Sequence, residues 1–406
     1  MQVIDIEDEY GLCLSKRQRV VIERGQGVYV WDELGNRLVD FTSGWGVTCL
    51  GHNHPVITEA LLGQAGKILQ NPNSGFTYSP ARASLLNELV NVVPDHLSKY
   101  WFANSGAEAN DAALKIARKV TGRQAVLALK GSFHGRTLAA LSVSGGAENS
   151  AKFLPRLPDH SFVRINDKQA LEAVIDDSLA AVIIELVQGE GGVRALDKAY
   201  VSWLSHLCRK HDVLLIVDEV QTGFCRTGDF FACNRYEARP DIMTMGKGIA
   251  GGLPFAALAM TDQVAAAVQQ GDHGGTYCGN PLVCAVSAAV VRHLRESGVD
   301  SHVRSLGSMA LEDLRHLQQK YPDLIVQVRG EGLMLALELA DDSLVWPLTQ
   351  LCLEQGLMVT PTKGAVVRLL PSLLLTSAEW KEGFACLQAG VGNLWASGQW
   401  ASMRTA

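Results

Sequence analysis

Apolar positions along this chain recur with two periods, and the alternation between them sets the expected architecture. Short continuous apolar or β-branched runs near residues 100–103, 124–129, 161–164, 180–187, 213–217 and 242–245 read as strands. Between them, the stretches 107–120, 167–175 and 199–211 carry apolar residues three and four apart, as at Ala109, Ala113, Ile116, Ala117 and Val120, and read as amphipathic helices. Apolar strands alternating with helices imply an α/β core, a mostly parallel sheet covered by helices. Ahead of it, Val28 to Phe41 reads as a hairpin around the turn Asp32-Glu33-Leu34-Gly35-Asn36. Behind it, a long helical pattern from Pro281 to Ser297 leads into a helix at 302–320, strands at 324–328 and 334–339, a helix at 345–355, a strand at 366–370 and a last helix from 377. The expected division is residues 1–54 as the N-terminal segment of a small α+β domain, 55–297 as a large domain and 298–406 as the rest of the small one.

Composition narrows the class of protein. The chain has 406 residues, 47% of them apolar, enough to bury a large core. A net charge of −6 offers no basic face, so neither nucleic acid nor an acidic membrane is expected as a partner. Nine cysteines with no C-x-x-C pair point to reduced thiols and a cytoplasmic address. The start of the chain is acidic where a signal peptide is basic and then apolar, and no apolar run approaches about 18 residues, so neither export nor membrane insertion is expected.

Two strand ends carry the chemistry. Ile242 to Met245 breaks into Gly246-Lys247-Gly248, which sets a lysine at the mouth of an apolar strand, where burial depresses an amine's pKa and frees a nucleophile. Val213 to Val217 ends in Asp218-Glu219, an acid at the carboxyl end of a second strand, where ligands of open α/β sheets bind. A lysine for the aldehyde and a carboxylate for the ring nitrogen suit pyridoxal 5'-phosphate (PLP). Asn104-Ser105-Gly106-Ala107 leaves a third strand and opens a helix, where a hydroxyl, a glycine and free N–H groups suit a phosphate as well as they suit an ordinary N-cap. In Phe133-His134-Gly135-Arg136, Phe133 is placed to stack on a flat ring and Arg136 to fork onto a carboxylate, while His134 is expected to pack. Asp218-Glu219 also resembles the acidic strand end of a nucleotide triphosphatase, but the chain lacks G-x-x-x-x-G-K-[ST], which removes that reading.

Taken together the motifs resemble the class III, fold type I, PLP-dependent aminotransferases, nearest the acetylornithine and succinylornithine group and the enzymes of carrier-bound aminoadipate semialdehyde. The resemblance runs from about Arg24 to Leu370 and rests on eight blocks in order. These are Leu50-Gly51-His52-Asn53-His54-Pro55, the Asn104 and Phe133 blocks, Gln188-Gly189-Glu190-Gly191-Gly192, Asp218-Glu219-Val220-Gln221-Thr222-Gly223, Lys247, Gly275-Thr276-Tyr277-Cys278-Gly279-Asn280-Pro281 and Val367-Arg368-Leu369-Leu370-Pro371. It implies a fold type I transferase in which Lys247 holds PLP covalently and later moves a proton, and Asp218 keeps the ring nitrogen protonated. Gln221 would approach the phenolic oxygen, Val220 and Phe133 would sandwich the ring, and Ser105, Gly106 and Ala107 would bind the phosphate. Thr276 would join that phosphate from the partner subunit of a homodimer with shared active sites. Arg136 would take the carboxylate of an ω-amino donor, and Glu190 would mask Arg368 until an α-amino acid displaces it.

Departures from the group's pattern fall at the substrate side. Ser43-Gly44-Trp45-Gly46-Val47 puts an indole where smaller residues are usual, expected at the pocket mouth. Gln70-Asn71-Pro72-Asn73-Ser74 and Glu185-Leu186 differ as well. The leading expectation is transfer of a terminal amino group from an acetylornithine-like donor to 2-oxoglutarate, giving an aldehyde and glutamate. Transamination of a specialised-metabolite amine, an aminomutase of the same fold and a non-catalytic binding protein are the alternatives; the Arg136, Glu190 and Arg368 set and the retention of Lys247 with Asp218 disfavour the last two.

Overall fold

The computed structural model describes residues 2–72, 74–145, 152–153 and 156–398. At its centre lies a seven-stranded sheet in the order Lys99–Ala103, Ala256–Met260, Ile242–Met245, Leu214–Asp218, Leu179–Ile184, Ala125–Leu129, His160–Val163. The strands from Ile242–Met245 outward to His160–Val163 pair parallel, as the buried apolar runs predict. The strand Ala256–Met260 was not legible in the apolar pattern and runs antiparallel to both neighbours. Its sequence, Ala256-Ala257-Leu258-Ala259-Met260, lacks the β-branched and aromatic residues that mark a strand, and only its position between two others holds it extended. Because it reverses direction, Lys99–Ala103 runs the same way as the parallel strands. Asn104, Asp218 and Lys247 therefore leave the sheet along one edge.

Two smaller sheets flank that edge. Ile325–Glu331, Met334–Leu339, Val366–Leu369 and Thr360–Pro361 form an antiparallel sheet that carries Arg368 opposite Ala336. The N-terminal strands Ile22–Gln26, Tyr29–Asp32 and Arg37–Asp40 form another, closed by Leu357–Met358, which pairs parallel with Arg37–Asp40. Both ends of the chain thus share one sheet. The helix Ser377–Ala396 seals it: Trp380 is fully buried, stacks on Phe41 at 5.4 Å and donates its indole N–H to Asp313 at 2.7 Å. Such a pair contributes ~0.5–1.5 kcal/mol beyond its burial. Gly383 leaves the room, since a Cβ there would lie 2.3 Å from the Phe41 ring. Among the described residues no helix is long and apolar enough to cross a membrane, and all nine cysteines are free thiols.

Candidate active site

Asp218 ends its strand opposite Thr244 and is 4% exposed. A carboxylate so buried needs hydrogen-bond donors for its lone pairs. Its Oδ1 accepts the backbone N–H of Val220 at 3.0 Å. Its Oδ2 accepts the side-chain amide of Asn110 at 2.7 Å and the ring Nδ1–H of His134 at 2.8 Å. Asn110 is in turn oriented by the Thr244 hydroxyl, which donates to its oxygen at 2.7 Å, and by its own second N–H, which reaches the His134 carbonyl at 2.8 Å. His134 does pack, as expected, but it also holds Asp218, and its Nε2 has no partner among the described residues. Neither Asn110 nor this use of His134 was read from the sequence. A signal existed for Asn110, a polar residue inside the apolar stripe of the helix Gly106–Thr121.

Lys247 follows the strand Ile242–Met245 by two residues and takes a left-handed backbone (φ 49°) as it opens the short turn Lys247–Ala250. A non-glycine residue there is held against an intrinsic cost of ~1–2 kcal/mol by its surroundings. Burial, and then the Arg368 charge, pull the amine down to about 8 against the opposing pull of Glu190, Asp218 and Glu185. At neutral pH about a tenth of such amines are unprotonated, against well under about 0.1% of ordinary lysines.

These groups face a cavity of about 280 Å3. Phe133, Val220 and Gln221 line it together with Lys247, Asp218 and Ala107. Two glycines shape it. A Cβ on Gly106 would meet Val220 at 2.7 Å, and one on Gly135 (φ 134°) would meet the Ala107 Cβ at 2.5 Å. At one end lies the N-terminus of Gly106–Thr121, capped by Ser105, whose hydroxyl accepts the Glu108 N–H at 3.2 Å. The first N–H groups of that helix remain for an anion. Thr276 is exposed outside this lining, its carbonyl bonded to Gln70 Nε2 at 2.6 Å.

The opposite wall is a charge pair. Arg368 is fully buried, and its Nη1 donates to Glu190 at 2.7 Å and to Gln221 Oε1 at 3.1 Å. Its Nε and Nη2 have no partner among the described residues. Burial pushes the Glu190 carboxyl up, but Arg368, then Lys247, then Lys363 bring it below the usual range. Gln221 therefore spends its oxygen on Arg368, and its amide reaches the Trp45 carbonyl at 3.5 Å. Trp45 itself is 59% exposed, in a left-handed turn, and its indole is not among the side chains lining the cavity. Arg136 stands at the exposed side, 5.9 Å from the Phe133 ring centroid. Glu185, which the sequence reading treated only as a departure, is buried and ties two loops together. Its carboxylate accepts the N–H of Phe133 at 2.8 Å and of Gly189 at 3.3 Å. Burial, reinforced by the Asp218 charge, pushes it up to about 7.

A buried nucleophilic amine, a hydrogen-bonded carboxylate and an anion-binding helix start line one cavity, and a masked arginine lies behind its Glu190 wall. The sequence profile of the family described as aminotransferase class-III matches residues 14–391. The chain belongs to that family. It is 38% identical over 385 residues to the acetylornithine aminotransferase of Methanopyrus kandleri, covering 95% of this chain and 97% of that one. It is 37% identical over 390 residues, 96% and 90% of the two chains, to the [LysW]-aminoadipate semialdehyde transaminase of Deinococcus radiodurans. A crystal structure of the ornithine aminotransferase of Toxoplasma gondii, with partial PLP occupancy, superposes with a TM-score of 0.90 at 30% identity, covering 97% of this chain and 94% of that one. As a class-III member the chain is a PLP-dependent aminotransferase. Its own residues fit that cofactor: the glycine cradle leaves room beside Val220 and Ala107, the Asp218 carboxylate is held for a cationic nitrogen, and the amine of Lys247 is depressed.

Proposed function

We propose that this chain is an ω-aminotransferase that moves the terminal amino group of an acetylornithine-like donor to 2-oxoglutarate, giving an aldehyde and glutamate. Lys247 would hold PLP, Asp218 would keep a proton on its ring nitrogen, Val220 and Phe133 would flank the ring, and Ser105, Gly106 and Ala107 would bind the phosphate. PLP when bound supplies an electron sink for the carbon that loses its proton. The lysine amine is the group that takes and returns that proton, and its depressed pKa suits it to the task near neutral pH. Arg136 would take the donor's carboxylate at the exposed side.

The observation that carries the reading is the Glu190–Arg368 pair at 2.7 Å beside Lys247, with two arginine N–H faces unpartnered among the described residues. Masked, the arginine presents a neutral wall to an ω-amine. Unmasked, it offers a bidentate fork to the carboxylate of glutamate. Breaking a partly buried pair costs on the order of a few kcal/mol, so the two substrates meet different sites. The test is the ratio of the two half-reaction rates, glutamate against acetylornithine, by stopped flow. Glu190→Ala is expected to raise it roughly tenfold or more, and Arg368→Ala to lower it by at least as much. A ratio that moves the same way in both variants, or in neither, makes the pair a structural salt bridge.

The small-domain and large-domain division at residues 54/55 and 297/298, a cytoplasmic location and a homodimer complete the proposal. Support for the dimer is a group of exposed apolar side chains, Leu62, Phe76, Tyr78 and Tyr277, on and around the loop bonded to Thr276. A fully active monomer in sedimentation at assay concentration would overturn it and with it the role of Thr276.

A further inference from the structure

Accepting glutamate creates a charge problem that the cavity alone does not solve. A five-carbon dicarboxylate brings two carboxylates, and two guanidiniums stand ready for them, Arg136 in the cavity lining and Arg368 buried behind Glu190. Glu190, its side chain 25% exposed, is once displaced from Arg368 a third carboxylate at the cavity edge, and a partly buried carboxylate left there without a cation is costly. A further cation stands beside this edge. Next to the cavity, and sharing Phe133 and Arg136 with it, lies a groove of about 600 Å3 lined also by Leu138, Leu141, Lys152 and Lys363.

The fold sets the turn that carries Lys363 against the loop of Glu190. Lys363 sits at the tip of the tight turn between Thr360–Pro361 and Val366–Leu369, the strand that carries Arg368. Thr362 closes the turn by donating its backbone N–H to the Val366 carbonyl at 2.9 Å, and Gly364 supplies the left-handed residue it needs (φ 69°). Val366 packs on the loop of Glu190, since a Cβ on Gly192 would lie 3.2 Å from its Cγ2. The turn tip and the glutamate loop are therefore held against each other. Lys363 is exposed and makes no ion pair or hydrogen bond among the described residues, yet its positive charge already contributes to holding the Glu190 carboxyl ionised.

We propose that Lys363 is a positioning residue, the receiving partner of Glu190 when a dicarboxylate displaces it from Arg368, so that the mask has a built second position at the cavity edge. No bond to the substrate is made or broken; one ion pair is exchanged for another. The inference rests on the proposed masking of Arg368 by Glu190, and its test separates the two.

The probe is glutarate, a dicarboxylate that cannot react, titrated calorimetrically into the PLP-loaded enzyme. Lys363→Met is expected to weaken glutarate about two- to fivefold, the range of a solvent-edged ion pair, with the loss shrinking at high salt. Lys363→Glu, which sets like charges face to face, weakens it by about tenfold. In a Glu190→Ala background neither substitution changes the affinity, because nothing is left to receive. Lys152→Met, across the same groove, leaves it unchanged in both backgrounds. The acetylornithine half-reaction stays within about twofold of wild type in Lys363→Met, because no displacement occurs there. Equal losses with and without Glu190 overturn the proposal, as does a loss confined to acetylornithine, which would make Lys363 a donor-binding residue. Failure of the underlying mask looks different: Glu190→Ala itself would then leave glutarate binding unchanged.

Discussion

The floor and the wall of the cavity around Lys247 are built from similar side chains to opposite ends. On the floor, Asp218 has both oxygens engaged by Val220, Asn110 and His134, and Asn110 is fixed in turn by Thr244, all from the central sheet and its helices. Across from it, Glu190, from the turn after Val187–Gln188, and Arg368, from the strand Val366–Leu369, meet through one arginine nitrogen and leave two others unpartnered among the described residues. A carboxylate with both oxygens engaged is held in one arrangement, whereas a half-satisfied pair has a second within reach. The floor is suited to a step common to every substrate, the wall to a choice between substrates.

The largest effects should come from the floor and from Lys247. Lys247→Ala is expected to abolish nearly all turnover while the protein folds and binds PLP through its phosphate, since the helix start at Gly106 is a separate element. Asp218→Asn keeps the fold and lowers the rate of proton loss by about 10²–10⁴ or more, because an amide does not hold the ring proton as a carboxylate does. Single-turnover rates for acetylornithine and for glutamate should drop by similar factors. That equality is the sharp part: a variant of Asp218 that shifts the ratio of the two half-reactions would mean that the floor also selects, and the contrast with the wall would be lost.

The sequence exposed the residues at the strand ends better than the polar groups that hold them, for a physical reason. Lys247, Asp218 and Asn104 each lie where an apolar strand meets a polar turn, a local signal, and parallel strands bring such ends to one edge whatever their spacing. The polar groups that serve them are another matter. The bonds of Asn110 to Thr244 and to Asp218 span 134 and 108 residues and that of Glu185 to Phe133 spans 52, so nothing in the local sequence announces them. The left-handed turn at Ser43–Gly46 that sets the exposure of Trp45 is likewise not announced by the indole's size. The strand Ala256–Met260 was missed because its neighbours, and not its residues, make it a strand.

Glu185 lies between floor and wall and provides the finest test of how separate they are. Its carboxylate binds the loop of Phe133 and the loop of Glu190, and it feels His134 and Asp218 on one side and Lys247 on the other. Its folded-state pKa is pushed up to about 7, chiefly by burial. In the unfolded chain it titrates near the ordinary value of about 4.3. Between those two values the native state binds more protons than the unfolded one, so this residue lowers stability as pH rises from about 4.3 to 7 and adds no further slope above that. Glu185→Gln removes the titration but keeps an oxygen for one of the two N–H donors. The lost bond shifts stability by a constant, whereas the lost titration changes its slope. The melting temperature of the PLP-free variant relative to wild type should therefore climb as pH is raised from 5 to 7 and then level off. Both half-reactions should change by less than about tenfold, since the Phe133 and Glu190 loops keep their other contacts. Parallel melting curves across that pH range would show that Glu185 is ionised like a surface acid, and that the floor and the wall are coupled through charge rather than held apart by a neutral carboxyl group.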